Sequence, residues 1–541
     1  MKRKKLYLEI DLKDEIVEGR PEYSLFSRKS KTSLHNLLEV LKRAAESPRV
    51  AALLLTINGI DAGWARLCSI RRAVLRFRAS GKFVCCYLPS AGNGEYFLAS
   101  ACDAVFMAPA GSLNLVGLAG EVFFLRELLG RFGLKAELHS VGEFKSAGEM
   151  FTRTSMSPEA RLQLEELLDD FVAEFRNALA AGRSLEAENV RELIDGGPYS
   201  AREAATKGLA DGICYRDELE AKLEERVGCA LRMVPPSRFL KGEGFFRRML
   251  TCRRPRIAFI DVVGQIVTGE SRRDRAGRHL AGSETIGHFL DHARKSKRVR
   301  AVVLRIDSPG GTGEASDEIW RKVALLKESK PIVASLGDVA ASGGYYVSVP
   351  TSGIVAEPTT ITGSIGVLGG KFVAQELMTR LLVHREVISR GLHAEFDSFF
   401  SPFSGEELES LKRHLEEFYR EDFLKKVAGG RGMSEEAVDH AGRGRVWTAK
   451  RAMSLGLLDK LGGPIEACDE ARRLAGIPEK KRIRVVHYHR RPRLRDMLAP
   501  EFASPFKLAA APLPLVEILE VLSLVRGVSI LLWMPFRIRI R

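Results

Sequence analysis

The stretch GDVAASGGYY, residues 337–346, decides how this chain is read. Ahead of it, Ile332, Val333 and Ala334 have the composition of a buried strand; after it, Tyr345, Tyr346 and Val347 fit the first turns of a helix. A strand running straight into a helix through small residues is a joint of a parallel α/β sheet. At such a joint Ser342 presents its hydroxyl beside backbone N–H groups that have no partner within the helix. Gly343 and Gly344 would let another backbone approach closely, as a peptide substrate would. A glycine-rich helix start that merely packs would carry the same letters, so the rest of the chain has to decide.

Working outward, the two halves match at an offset of about 249 residues. IDLKDEIVEG (10–19) faces IDVVGQIVTG (260–269), and AALLLTIN (51–58) faces RAVVLRID (300–307). GKFVCCYL (81–88) lies against SKPIVASL (329–336), GEYFLAS (94–100) against GGYYVSV (343–349), and GSLNLVG (111–117) against GSIGVLG (363–369). Late in each half, SAREAATKGLADG (200–212) matches TAKRAMSLGLLDK (448–460). Between these blocks run helical patterns such as CSIRRAVLRFRASG and EIWRKVALLKESK, with apolar residues three and four apart. Strand and helix in alternation predict an α/β protein, a parallel sheet with crossover helices, built twice. Segments 157–182 and 404–428 predict a longer amphipathic arm in each half.

At 541 residues the chain is too long for one core. The boundaries read from the repeat are 1–236 for the first half, a basic linker at 237–256, 257–480 for the second half, and a tail at 481–541. The net charge of +15 is concentrated in KRKK at the start, FFRRMLTCRRPR at 245–256, and the tail. No aromatic-interleaved basic motif accompanies it, which argues for solvated basic segments or an acidic membrane surface rather than a nucleic-acid partner. Eight scattered cysteines without a C-x-x-C spacing argue against a disulfide framework or a zinc site. MKRKK is followed by LYLEIDL, too short and too acidic for the apolar core of a signal peptide, so no N-terminal span is expected.

The chemistry is divided between the halves. DSPGG (307–311) follows the strand AVVLRI, and a turn there exposes N–H groups where ligands bind in parallel sheets. One N–H from that loop, Gly310 or its neighbour Gly311, and one from Gly343 could hold an oxyanion. At the matching positions the first half has NGIDA (58–62) and Asn93, so it lacks both the paired glycines and the serine. It has instead VGEFKSAGEMF (141–151), aligned with RGLHAEFDSFF (390–400), which sets Lys145 opposite Ala394. A serine nucleophile needs a base, no histidine stands in a paired position, and G-x-S-x-G is absent. A lysine serves if burial lowers its pKa from about 10.4 toward neutrality. Any single lysine is more often a solvated charge, but the reciprocal losses favour Lys145.

DSPGG, GDVAASGGYY, GSIGV and VGEFKSAGEMFTRTSMSPEAR, in this order and spacing over residues 5–475, resemble the signal peptide peptidase A (protease IV) family in its long, two-domain form. The resemblance implies a crotonase-like (Clp-like) fold in each half and a Ser–Lys dyad serine peptidase without cofactor or metal. By motif position it implies Ser342 as nucleophile, Lys145 as general base, Gly310 and Gly343 as oxyanion donors, and Ser364 of GSIG as the residue orienting the lysine. It implies a bowl-shaped homotetramer that cuts residual signal peptides within their apolar segments. Asp338 in the serine motif receives no role.

The tail departs from the repeat from about residue 482. His487 and His489 could face one way on a strand, yet two ligands without a third make a poor metal site. LPLVEILEVLSLVRGVSILLWMPF (513–536) carries Glu517, Glu520 and Arg526, which fits an amphipathic helix, lying on a membrane or docking on protein. The terminal RIRIR would suit anionic headgroups. The expectation is a peripheral membrane association with the side left open, the cytoplasmic one included. Two rival readings remain: a non-catalytic membrane-associated scaffold of the same fold, and an acyl-CoA hydratase or isomerase, which would rely on acidic groups and leave a Ser–Lys pair superfluous.

Overall fold

A computed structural model describes residues 4–19, 31–241, 254–274, 277–489 and 531–533. The first half is built on β1 (Lys5–Val17), β2 (Val50–Asp61), β3 (Phe83–Leu88) and β4 (Ala104–Met107), with β5 (Lys135–Val141) set apart from them. Two short strands, β6 (Gly212–Ile213) and β7 (Leu231–Val234), extend the main path of the sheet to the order β7-β1-β2-β3-β4-β6, all parallel, and the short segment Lys31–Ser33 pairs with the end of β1. Its central strands are buried on both faces, as parallel strands covered by crossover helices are. This explains why VAALLL and FVCC read as unbroken apolar runs.

The second half repeats the plan. Strand β8 (Arg256–Val263) opens it, followed by β9 (Gln265–Val267), β10 (His279–Gly282), β11 (Val299–Ser308) and β12 (Gly310–Thr312). After these come β13 (Ile332–Ala341), β14 (Gly353–Ala356), β15 (Ile361–Gly363), β16 (Val367–Val373), β17 (Val446–Thr448) and β18 (Arg484–Tyr488). The main path of this sheet runs β17-β15-β13-β11-β8-β18. Here β18 pairs in parallel with β8 as β7 pairs with β1. The repeat therefore extends through residue 488, and RVVHY belongs to the second sheet, not to a divergent tail. His487 packs there against His35 and Phe259 with tilted rings, centroids 3.8 and 4.7 Å away.

A third, mixed sheet joins the halves. Strand β16 pairs antiparallel with β5 of the first half over seven residues, Val367 opposite Val141 through Val373 opposite Lys135. Of the apolar segment 513–536, Leu531–Trp533 alone lie within the described residues. They form a strand, β19, not the helix expected from the spacing of Glu517 and Glu520. Strand β19 runs antiparallel between β12, where Trp533 faces Gly310, and β16, where Leu531 faces Leu368. Two open edges template an extended chain, and that outweighs local helical periodicity. Among the described residues no helix is long and apolar enough to cross a membrane.

The arms are helices, Pro158–Arg183 capped by Ser157, and Gly405–Glu417 capped by Ser404 and continued by a π-helical turn to Leu424. The first arm lies against the second half. Asp170 accepts from the Thr448 hydroxyl at 2.6 Å and from Arg451 Nε at 2.7 Å, and Glu166 pairs with Arg445 at 2.5 Å. These contacts and the β5–β16 ladder fix one half on the other where the candidate site lies.

Candidate active site

Strand β13 runs to Ala341 and its helix, Gly343–Ser348, starts at the next residue but one. Ser342 makes the turn between them with φ 54° and ψ −117°, a conformation costing an L-residue about 1–3 kcal/mol. Neighbours hold it there: its N–H donates to Gly363 O at 2.8 Å, and its C=O accepts from Tyr346 N at 2.8 Å. The two following glycines are required by this chain's own packing. A Cβ on Gly343 would lie 2.6 Å from Ser316 Oγ and 3.2 Å from both Gly310 Cα and Gly311 N. One on Gly344 would lie 2.5 Å from Ser308 O. The backbone these glycines admit is thus the DSPGG loop, where the sequence suggested a substrate.

Lys145 arrives from the loop after β5. That loop is tied to the second half by Phe144 N donating to Arg443 O at 3.0 Å. Gln163 of the first arm donates to Phe144 O at 3.2 Å and to Ser146 Oγ at 2.8 Å. Gly444 packs so closely that a Cβ there would meet the Lys145 backbone at 2.4 Å. The side chain is buried, and Nζ lies 2.7 Å from Ser342 Oγ, 2.9 Å from Ser364 Oγ and 3.2 Å from Ser364 O. Ser364 itself takes a positive φ of 52°. Among the described residues no carboxylate pairs with the amine, and burial pulls its pKa well below the ordinary lysine value.

The structure therefore brings together Ser342, Lys145, Ser364, Gly310 and Gly343. The Gly310 N–H donates to Ser308 Oγ at 3.2 Å, while Gly311 N is the loop amide facing Gly343. In the first half Asn93 begins the equivalent helix. Its side chain is absorbed by the backbone of the following loop, donating to Gly117 O at 2.7 Å and accepting from Val116 N at 3.2 Å. Ala394, opposite Lys145 in the repeat, is exposed. One complete constellation results, made from both halves. Sequence reasoning missed Gln163, whose contact with the lysine loop leaves no local motif, and gave no part to Asp338, which meets Arg66 of the first half.

Comparison with known proteins gives the family. The profile of peptidase family S49 matches twice, at residues 76–230 and 324–478. The chain is 35% identical over 462 residues to the chloroplastic serine protease SPPA of Arabidopsis thaliana, covering 85% of this chain and 68% of that one. It is 29% identical over 459 residues to Protease 4 of Haemophilus influenzae, covering 82% and 73%. With Protease 4 of Salmonella typhi the figures are 29% over 481 residues, 87% and 76%. A duplicated parallel α/β fold, a strained serine held against a buried amine, and these relatives lead to one assignment: the chain belongs to peptidase family S49 and is a serine-type peptidase.

Proposed function

We propose that this peptidase is an endopeptidase working through a Ser342–Lys145 dyad on apolar peptides, residual signal peptides among them. The observation that carries the reading is the 2.7 Å approach of Lys145 Nζ to Ser342 Oγ from opposite halves, in a buried setting that favours the neutral amine. The neutral amine takes the Ser342 proton as Oγ attacks the scissile carbonyl. The Gly343 N–H and an N–H of the Gly310–Gly311 loop receive the developing oxyanion. The ammonium returns its proton to the leaving amine, and the acyl-enzyme remains. The amine then deprotonates a water for the second attack, and collapse of that intermediate frees the acid and restores the Ser342 hydroxyl. Ser364 accepts hydrogen bonds from Nζ through its hydroxyl and carbonyl oxygens, aiming the lone pair at Ser342.

An extended peptide would pair with β12 and β16, the edges β19 now joins, with its carbonyl beside Gly310. Self-association, with a tetramer as the family-implied form, is supported by exposed apolar side chains on one loop, Leu382, Ile388 and Leu392. Contact of the basic tail with an anionic membrane surface remains part of the proposal, as does a division into two structural units, 1–236 and a second that begins at 257 and takes in strand β18. Ser342→Ala and Lys145→Ala should each abolish hydrolysis of an apolar peptide ester while leaving the folded protein intact. Near-normal turnover by either variant would remove the dyad.

A further inference from the structure

A second group of side chains crosses between the halves close to the site, and neither the dyad nor the oxyanion loop uses it. Arg66 sits in the first turn of the helix Trp64–Ala79, with its side chain 18% exposed. Its Nε lies 2.5 Å from Asp338 Oδ2, its Nη2 donates to Asp307 Oδ2 at 3.1 Å, and its Nη1 donates to Ile16 O at 2.5 Å. The Arg66 backbone N–H donates to the other Asp338 oxygen at 3.1 Å. Asp307 opens the DSPGG loop, and Asp338 stands four residues before Ser342. Asp307 also accepts from Val339 N at 3.1 Å, so loop and strand end are linked on both sides of the guanidinium.

The surroundings are built for this contact. A Cβ on Gly63 would fall 2.1 Å from the Asp338 Cγ, and one on Gly337 would fall 2.7 Å from Asp307 Cβ. Behind it Glu18 lies 3.9 Å from Arg66 and accepts from buried Arg305 at 2.6 and 3.1 Å. The repeat shows the same division as the dyad. At the offset of about 249, the second half has Ala315 where the first has Arg66, and the first half has Asn58 and the Pro89–Ser90 pair where the second has its two carboxylates. Cation and anions, like base and nucleophile, are each kept in one half only.

We propose that Arg66 is a positioning residue for the peptidase reaction: by clamping Asp307 and Asp338 it sets the glycine loop against the end of the strand that carries Ser342. It rests on the reading of Ser342 as nucleophile, because the spacing it controls is that between the attacking oxygen and the oxyanion donors. Arg66 reaches neither Ser342 nor Lys145, and its effect passes through the two aspartates. Donors displaced by about 1 Å cost on the order of 10²-fold in rate with little effect on ground-state binding.

The test uses the full chain with Arg66→Met, Arg66→Lys and Asp338→Asn, following kcat and KM on one peptide ester, thermal midpoint, and the pH dependence of kcat. Arg66→Met should lower kcat about 10²-fold with KM changed less than threefold, and Arg66→Lys should recover part of the loss. The carboxyls facing the guanidinium are Glu18, Asp307 and Asp338, with Asp261 and His35 beside Glu18 and Arg305 as the remaining cation. Removing Arg66 takes away a cation that lowers the Glu18 and Asp307 carboxyls, so the acid limb of kcat should move to higher pH. If Arg66→Met does not fold, Asp338→Asn, equal in shape, should show the same kcat loss at unchanged KM. Wild-type kcat in the folded variant, or a loss matching the unfolded fraction with an unmoved pH limb, overturns the proposal. Turnover surviving in Ser342→Ala would overturn the underlying dyad reading instead, whatever Arg66 does.

Discussion

Lys145 is a charged residue type placed where a charge is costly, and its chemistry follows from that. Its folded pKa is lowered well below the usual 10.5. Between the lowered value and 10.5 the unfolded chain binds a proton that the native one does not, so this residue makes stability rise with pH across that window. Lys145→Met, which removes the buried amine but keeps its bulk, should raise the thermal midpoint at neutral pH, flatten its pH dependence and abolish turnover. A lower midpoint would mean the lysine is stabilising and charged, contrary to the proposed base. The types at positions 145 and 342 were legible because each is missing from its repeat partner. Their contact was not, since residues 197 apart in sequence meet only once the halves have docked. Arg66 and Asp338 escaped for the same reason: each looks like an ordinary surface charge until the other half arrives.

At the scale of the elements, the joint between β13 and its helix concentrates the strain. Gly344→Ala would force a Cβ to within 2.5 Å of the Ser308 carbonyl oxygen, displacing the glycine loop. We expect a loss of about 1–3 kcal/mol in unfolding free energy and of nearly all turnover, measured by denaturant titration and kinetics. An active, stable Gly344→Ala enzyme would contradict the packing described. Strand β19 makes a separate prediction. Because it fills the place between β12 and β16, ending the chain at residue 489 should free both edges and lower KM for an extended peptide. A raised KM would show that β19 is part of the substrate site. Periodicity failed for this segment because main-chain edges, not side-chain faces, decide its conformation. The end of the repeat was set too early at RVVHY for another reason: it pairs with β8 although its letters do not resemble those of β7.

For the whole molecule, duplication explains why a half without a nucleophile is retained. The first half supplies the proposed base, the arm helix that braces its loop through Gln163, Glu166 and Asp170, and β5, which pairs with β16 in the mixed sheet. The alternation of strands and helices made the duplicated α/β architecture readable, whereas the third sheet joining the halves left no trace in either repeat. Leu382, Ile388 and Leu392, 81%, 89% and 81% exposed, form the apolar loop for which a second copy is the proposed cover. Replacing all three with serine should shift the sedimentation profile toward monomer; an unchanged profile would place the assembly surface elsewhere. The central claim, a serine in one half activated by a lysine from the other, is met most directly by labelling with a fluorophosphonate and mapping the adduct. A single modification at Ser342 is expected, at a rate that rises with pH through the lowered lysine pKa and is lost in Lys145→Ala. Labelling at another serine, or equal rates with and without Lys145, would contradict it.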